Sequence, residues 1–210
     1  KSDLKSRELQ AYALIVSHPD FKTAADSLAS YRSRTNEGKI VLSLNIDDIY
    51  KEFNYGIKSP HAIKNFLKYV FKNWKSPTPK YLNLFGDASW DCRNFLSTSK
   101  YYDYVPTYGY PASDYWYSLI LNDDYIADIA VGRIPVASLP QAYDFINKLI
   151  EYDTIPNNLW MKELLYLSGG DENQMAYFGE QLRSLARTLK KSSLCIDTTI
   201  INKKDPTVGA

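Results

Sequence analysis

The side chains able to do nucleophilic chemistry are few: two cysteines, Cys92 and Cys195, and two histidines, His18 and His61, in 210 residues. A thiol is a weak nucleophile until a base within hydrogen-bond reach takes its proton. Cys195 opens an apolar run of strand character, where a buried structural cysteine is the simpler account. Cys92 lies in a long segment without periodicity and is the one cysteine placed to react. His61 falls in the first turn of a helix, where an exposed polar residue is ordinary, whereas His18 directly follows a strand. A Cys92–His18 pair is geometrically conceivable, and nothing in the sequence selects it. No His/Cys cluster has zinc-ligand spacing.

Carboxylates offer a second chemistry. Asp123, Asp124 and Asp128 share the segment NDDYIAD, and Asp87 follows Gly86 at the end of an apolar run. Calcium takes about six to eight oxygens from carboxylates, carbonyls and water. A tip presenting alternate residues to one side, closed by a distant carboxylate, suits that demand. It is not an EF-hand, because counting from Asp123 or Asp124 there is no glycine at the sixth position and no glutamate at the twelfth. A solvated acidic turn fits the same spacing, which leaves both readings open. Gly169-Gly170 could receive an anion at a helix N-terminus. Yet there is no GxGxxG and no Walker pattern, and Asp171 and Glu172 would repel phosphate, so a tight turn is the better reading.

These residues need a scaffold, and the composition supplies one: 45% hydrophobic and 23% charged residues describe a globular chain. The length suits one large domain or two small ones. Twenty-five basic against 24 acidic residues leave a formal charge of +1, too balanced for an electrostatic footprint on nucleic acid or an anionic membrane. No apolar run approaches the roughly 20 residues of a membrane span. The chain opens on Lys1 without an initiator methionine or a signal-like segment, which reads as release from a longer precursor. Of 18 tyrosines and four tryptophans in the chain, eight tyrosines and two tryptophans crowd the region between Trp90 and Tyr125. Such rings join an apolar body to a polar tip and suit partner or sugar binding as well as loop filling.

The pattern predicts strands at Tyr12–Ser17, Lys39–Leu44 and Tyr81–Phe85, with shorter ones at Trp116–Leu121 and Ile129–Val131. Further strands follow at Leu164–Ser168 and Leu194–Ile201. Helices are expected after Asp20, which can cap the first of them, over Ile46–Phe53, from Ser59-Pro60 to Trp74, from Ser138 to Tyr152 and from Asn173 to Lys191. Ile63, Phe66, Leu67 and Val70 mark one apolar helix face. Alternating strands and helices imply a parallel sheet covered on both faces. Its carboxyl edge, where ligands of such sheets bind, would then carry His18, Asp87 and Ser168.

Taken in order, YALIVSHPDFKTAADSLASYRS, IYKEFNYGIKSPHAIKNFLKYV, YLNLFGDASWDCRN and VPTYGYPASDYWYSLILNDDYIADIAVGRIPV, then a helix ending KLIEYD, form a series. That series resembles the gingipain family of cysteine peptidases, which includes the type IX secretion sortase. The resemblance runs from Ala11 to Tyr152 and more weakly to the end. Its specific marks are GD after a strand, SD-x-x-Y, and D-x-x-x-D-x-x-x-GR.

The resemblance implies an α/β, three-layer, caspase-like fold with a mostly parallel sheet and helices on both faces. Residues 1–155 would be the N-terminal subdomain, and residues 156–210 the start of a second. It implies peptide-bond hydrolysis by a Cys–His dyad, with the histidine in a GHG motif and the cysteine further on, both after the strand resembling Leu194–Ile201. This sequence has no GHG, so the dyad is expected after Ala210, no catalytic residue in this chain, and no activity for it alone. By the same resemblance a structural calcium ion would take side-chain oxygens from Asp87, Asp124 and Asp128 and carbonyls from Leu121 and Ile126, with no organic cofactor. Glu172 is the nearest match to an acidic residue of the specificity pocket in arginine-specific members, in a shorter loop. The implied setting is bacterial, secreted or at the cell surface. Partners would be a polypeptide substrate or protein and the remainder of the catalytic domain, not nucleic acid. The rival reading is a non-catalytic partner-binding or secretion-associated module on the same fold. A flavodoxin-like nucleotide-binding domain is disfavoured by the missing phosphate loop.

Overall fold

Alternation with a period of two makes the first strand, β1 (Ala13–Ser17): Leu14 and Val16 point to one side and Ile15 to the other, and all three are buried. A strand buried on both faces belongs in the middle of a parallel sheet. In the computed structural model β1 pairs in parallel with β2 (Val41–Asn45) and with β3 (Tyr81–Phe85). Strand β4 (Ala130–Ile134) adds to β3, giving the order β2-β1-β3-β4. The structure describes residues 2–92, 95, 102–122, 124–156, 158–192 and 196–203, apart from the side chain of Glu172.

Helices close both faces. Ile46 and Ile49 of α2 (Ile46–Asn54) and Ile63, Phe66 and Leu67 of α3 (Pro60–Asn73) pack on Leu14, Val16, Leu82 and Leu84. Ala24, Ala25 and Leu28 of α1 (Lys22–Thr35) and Ala142 and Ile146 of α4 (Leu139–Thr154) pack on Ile15, Phe85 and Ile134. The result is the three-layer α/β arrangement expected from the sequence. Ser59 caps α3 by accepting from the His61 amide, with Pro60 at the first helical position, as its sequence signature requires.

Lys1–Ile150 forms one compact unit and Glu151–Ala210 a second. The second carries β5 (Glu163–Ser168) parallel to β6 (Asp197–Asn202), and α5 (Glu172–Lys190) between them in sequence. Asp171 caps α5 in a reciprocal box with Gln174. Gly170 has φ +111° just before it, so Gly169-Gly170 is a tight turn into a capped helix.

Two local expectations are corrected. Trp116–Leu121 is not a strand: Asp114–Ser118 is a 3-10 turn, and the chain then runs irregularly. The buried Lys64 ammonium donates to the carbonyls of Trp116 and Leu119, and the Asp128 carboxylate accepts from the amides of Ile120 and Leu121. Side chains thus satisfy backbone groups that a ladder would otherwise have to satisfy. Asp20 does not cap α1. It lies inside a 3-10 turn, Pro19–Phe21, whose cap is His18, the ring Nδ1 accepting from the Asp20 amide at 3.3 Å.

Candidate functional site

Parallel strands deliver their carboxyl ends to one edge, and four side-chain systems meet the chain there. At the end of β3 the backbone turns through Gly86, at φ +141°. Its amide donates to Ile134 O at 2.9 Å, and the Asp87 amide to Val136 O at 3.0 Å. Asp87 O accepts from Tyr104 and Val105, which folds the aromatic segment back over the strand ends. A Cβ on Gly86 would stand 2.9 Å from Tyr104 Cβ and 3.2 Å from Val105 Cγ2. Strain and overpacking therefore act together at this position. Gly86→Ala is expected to cost about 2–4 kcal/mol, read as a lowered urea midpoint at unchanged m-value.

Arg133 of β4 ties this turn to the next segment. Its Nε and Nη2 each donate to an Asp114 carboxylate oxygen at 2.7 Å. Its Nη1 donates to Gly86 O at 2.8 Å and Val105 O at 2.7 Å, and Nη2 reaches Pro106 O at 3.4 Å. The two side chains are 13% and 26% exposed, so a fork-to-fork ion pair is held largely out of water. Asp103, buried, accepts from the Ser89 amide and faces the Lys58 ammonium at 2.9 Å.

His18 extends from the end of β1 into an aromatic cluster, with ring centroids 5.1 Å from Tyr104, 5.8 Å from Tyr102 and 6.2 Å from Phe21. Burial there, aided by Lys58, pulls the imidazole below its usual pKa against the opposing pull of Asp20 and Asp47. It is the neutral form, with Nδ1 free to accept, that caps the turn at Asp20. Cys92 is exposed beside a cavity of about 390 Å³ that Lys58, Tyr102 and Asp103 also line. His18 packs on Tyr102, which lines the same cavity as Cys92, but no hydrogen bond joins Cys92 to either histidine among the described residues. His61, exposed, packs its ring on Tyr108 and Trp116, themselves stacked at 3.7 Å. Cys195 lies outside the described residues.

The calcium candidates are placed as follows. Asp87 Oδ1 accepts from the Ala88 amide at 2.8 Å, and Asp124 Oδ1 from the Ile126 amide at 2.9 Å. Asp128 Oδ2 binds the Ile120 and Leu121 amides at 2.7 and 2.9 Å. Leu121 and Ile126 are exposed. Among the described residues no three His, Cys, Asp or Glu side chains gather where one metal ion could be held. Asp87, Asp124 and Asp128 thus each accept from at least one backbone amide. Asp123 lies outside the described residues, as does the side chain of Glu172.

The family model for peptidase family C25 matches residues 6–205. The chain belongs to this family, that of the gingipain cysteine peptidases. Its fold is similar to that of gingipain R, the Arg-specific cysteine proteinase, at 16% identity and a TM-score of 0.64, over 98% of this chain and 43% of that one. It is also similar to dimeric latent PorU from Porphyromonas gingivalis, at 22% identity and a TM-score of 0.58, over 69% of this chain and 16% of that one. The gingipain-like chain described here thus spans less than half the length of either solved relative. No curated protein matches it. Among the described residues no helix is long and apolar enough to cross a membrane.

Sequence reasoning missed the Arg133–Asp114 pair as the organiser of the edge, although both residues stand in the motifs that carry the gingipain resemblance. The signal was an arginine between apolar residues in IAVGRIPV. A charge in a strand that must pack on a core needs a partner, and SD-x-x-Y, 19 residues earlier, supplies it.

Proposed function

We propose that this chain is the N-terminal portion of a secreted bacterial cysteine endopeptidase, one that hydrolyses polypeptides with a Cys–His dyad lying beyond the segment. The supporting observation is the family match along nearly the whole chain, beside a strand-end edge where, among the described residues, no hydrogen bond joins Cys92 to either histidine. The remaining part of the catalytic domain would supply the nucleophile, the base and the oxyanion donors. What this segment contributes is a rigid edge, built by Gly86, Arg133 and Asp114, against which that part packs. Incubated with a broad fluorogenic peptide library and a reducing agent, the isolated chain is expected to release no fluorophore. Turnover that vanishes on Cys92→Ala would overturn the reading and make the loop cysteine a nucleophile.

Glu172 is proposed to line the specificity pocket and to favour basic side chains. In the full-length peptidase Glu172→Gln should lower cleavage after arginine more than cleavage after leucine.

Structural calcium binding through Asp87, Asp124 and Asp128, with the Leu121 and Ile126 carbonyls, is likewise proposed. It rests on the family resemblance and on the acidic tip. Binding has to draw Asp87 and the tip together and to share carboxylates that now accept amide protons. Saturation at a hundredfold excess over the dissociation constant would stabilise the fold by about 2.7 kcal/mol and raise Tm by about 5–11 °C. The comparison is melting of stripped protein in millimolar calcium and in chelator, for wild type and Asp87→Ala. Equal midpoints in all four samples would leave these carboxylates as turn-forming acceptors alone.

The alternative of a partner-binding module has one observation in its favour, the exposure of Trp90, Tyr110 and Tyr125. A full-length protein that carries the dyad yet cleaves nothing would favour it.

A further inference from the structure

In the second unit the carboxyl ends of β5 and β6 lie side by side, with Ser168 in register with Asn202. The segments that leave such ends build the ligand sites of open α/β sheets. Here a side-chain bond joins the two ends in addition to the ladder. The hydroxyl of the buried Ser168 donates to Asn202 Oδ1, and the Lys203 amide donates to Ser168 O at 2.9 Å. Ser168 therefore holds the chain on both sides: its own strand turns away at Gly169, and β6 leaves at Lys203.

The helix above accommodates this pair. Gly179 is buried in the interior of α5, where a glycine weakens a helix. A Cβ there would stand 3.3 Å from Asn202 Oδ1, a tight contact, so the glycine leaves room for the asparagine. The turn after Ser168 is fixed from its far side as well. A Cβ on Gly170 would stand 2.7 Å from Gln174 Oε1, and Gln174 closes the capping box with Asp171. The turn that leads to Glu172 is thus tied at one end to Asn202, through Ser168, and at the other to Gln174. We infer that Ser168 and Asn202 are positioning residues for the peptidase reaction. Their bond sets the turn that leads to Glu172 against the chain that leaves β6 at Lys203. The inference rests on the peptidase function proposed above, and it requires neither side chain to touch substrate.

The test uses the full-length peptidase and two substitutions of one shape, Ser168→Thr and Ser168→Val, which differ in the hydroxyl alone. Hydrolysis after arginine and after leucine is measured, with kcat and KM separated, below the unfolding transition of every variant. Ser168→Thr should keep the wild-type kcat. Ser168→Val should lower kcat about five- to tenfold, through loss of one hydrogen bond that orients the site. Its preference for arginine over leucine should fall too, since the turn leads to Glu172. Asn202→Asp keeps the acceptor and should behave as Ser168→Thr does, whereas Asn202→Leu should behave as Ser168→Val does. Equal kcat for Ser168→Thr and Ser168→Val, or for Asn202→Asp and Asn202→Leu, would overturn the inference and leave the bond a structural crosslink, whatever the melting temperatures. A wild-type protein that cleaves neither peptide would instead overturn the peptidase reading, and this inference with it.

Discussion

Replacing Arg133 by alanine should cost about 3–5 kcal/mol of stability, the expected penalty for breaking a largely buried ion pair from one side. The loss is large because the guanidinium serves five acceptor oxygens at once. Asp114 would be left as a charge held out of water, and the carbonyls of Gly86, Val105 and Pro106 would lose their donor. Arg133→Lys should recover little, since a single ammonium cannot span a bidentate carboxylate and two carbonyls on the other side. Asp114→Asn should be milder than Arg133→Ala, because the amide still accepts one bond. In a double-mutant cycle of Arg133→Ala and Asp114→Ala the two losses should fall well short of adding, with a coupling of about 1–3 kcal/mol. Additive losses in urea unfolding would mean that the pair is an incidental surface contact.

What the sequence revealed of this architecture is what local physics decides. The apolar runs of β1 and β3, the Ser59-Pro60 start of α3 and the stripe of Ile63, Phe66 and Leu67 are each fixed by neighbours a few residues away. They were legible for that reason. The edge was legible only in part. Gly86 followed by Asp87 announced a strand end, but the role of Gly86 depends on Tyr104 and Val105, whose approach no local pattern encodes. The grouping of Asp124 with Asp128 was visible, yet their oxygens serve the amides of Ile126, Ile120 and Leu121, and Asp87 bonds its own neighbour. Carboxylates near one another in sequence are as apt to build turns as to hold ions.

Trp116–Leu121 shows the limit most clearly, and it carries the second large effect. An apolar, aromatic run reads as a strand, but its backbone is claimed by side chains from elsewhere. Lys64, 52 and 55 residues away, takes two of its carbonyls, with the ammonium 4.7 Å from the centre of the Trp116 ring. Lys64→Ala removes both donors and the aliphatic stem packed beneath them, so a loss of roughly 2–4 kcal/mol is expected from two stranded carbonyls. The same residue should confer a pH dependence. Burial, reinforced by Lys68 and opposed by Asp128, lowers its pKa from 10.5 to about 8. The folded state then binds this proton less tightly than the unfolded state does. Charging Lys64 therefore costs stability in full below pH 8, and that cost fades as pH rises from about 8 towards 10.5. The bonds to the carbonyls survive the change, because a neutral amine keeps two N–H groups for its two acceptors. Wild type measured against Lys64→Met should accordingly gain stability between pH 7.5 and pH 10. A constant difference between the two proteins across that range would mean that Lys64 stays charged throughout, held so by the Trp116 ring and the two carbonyls.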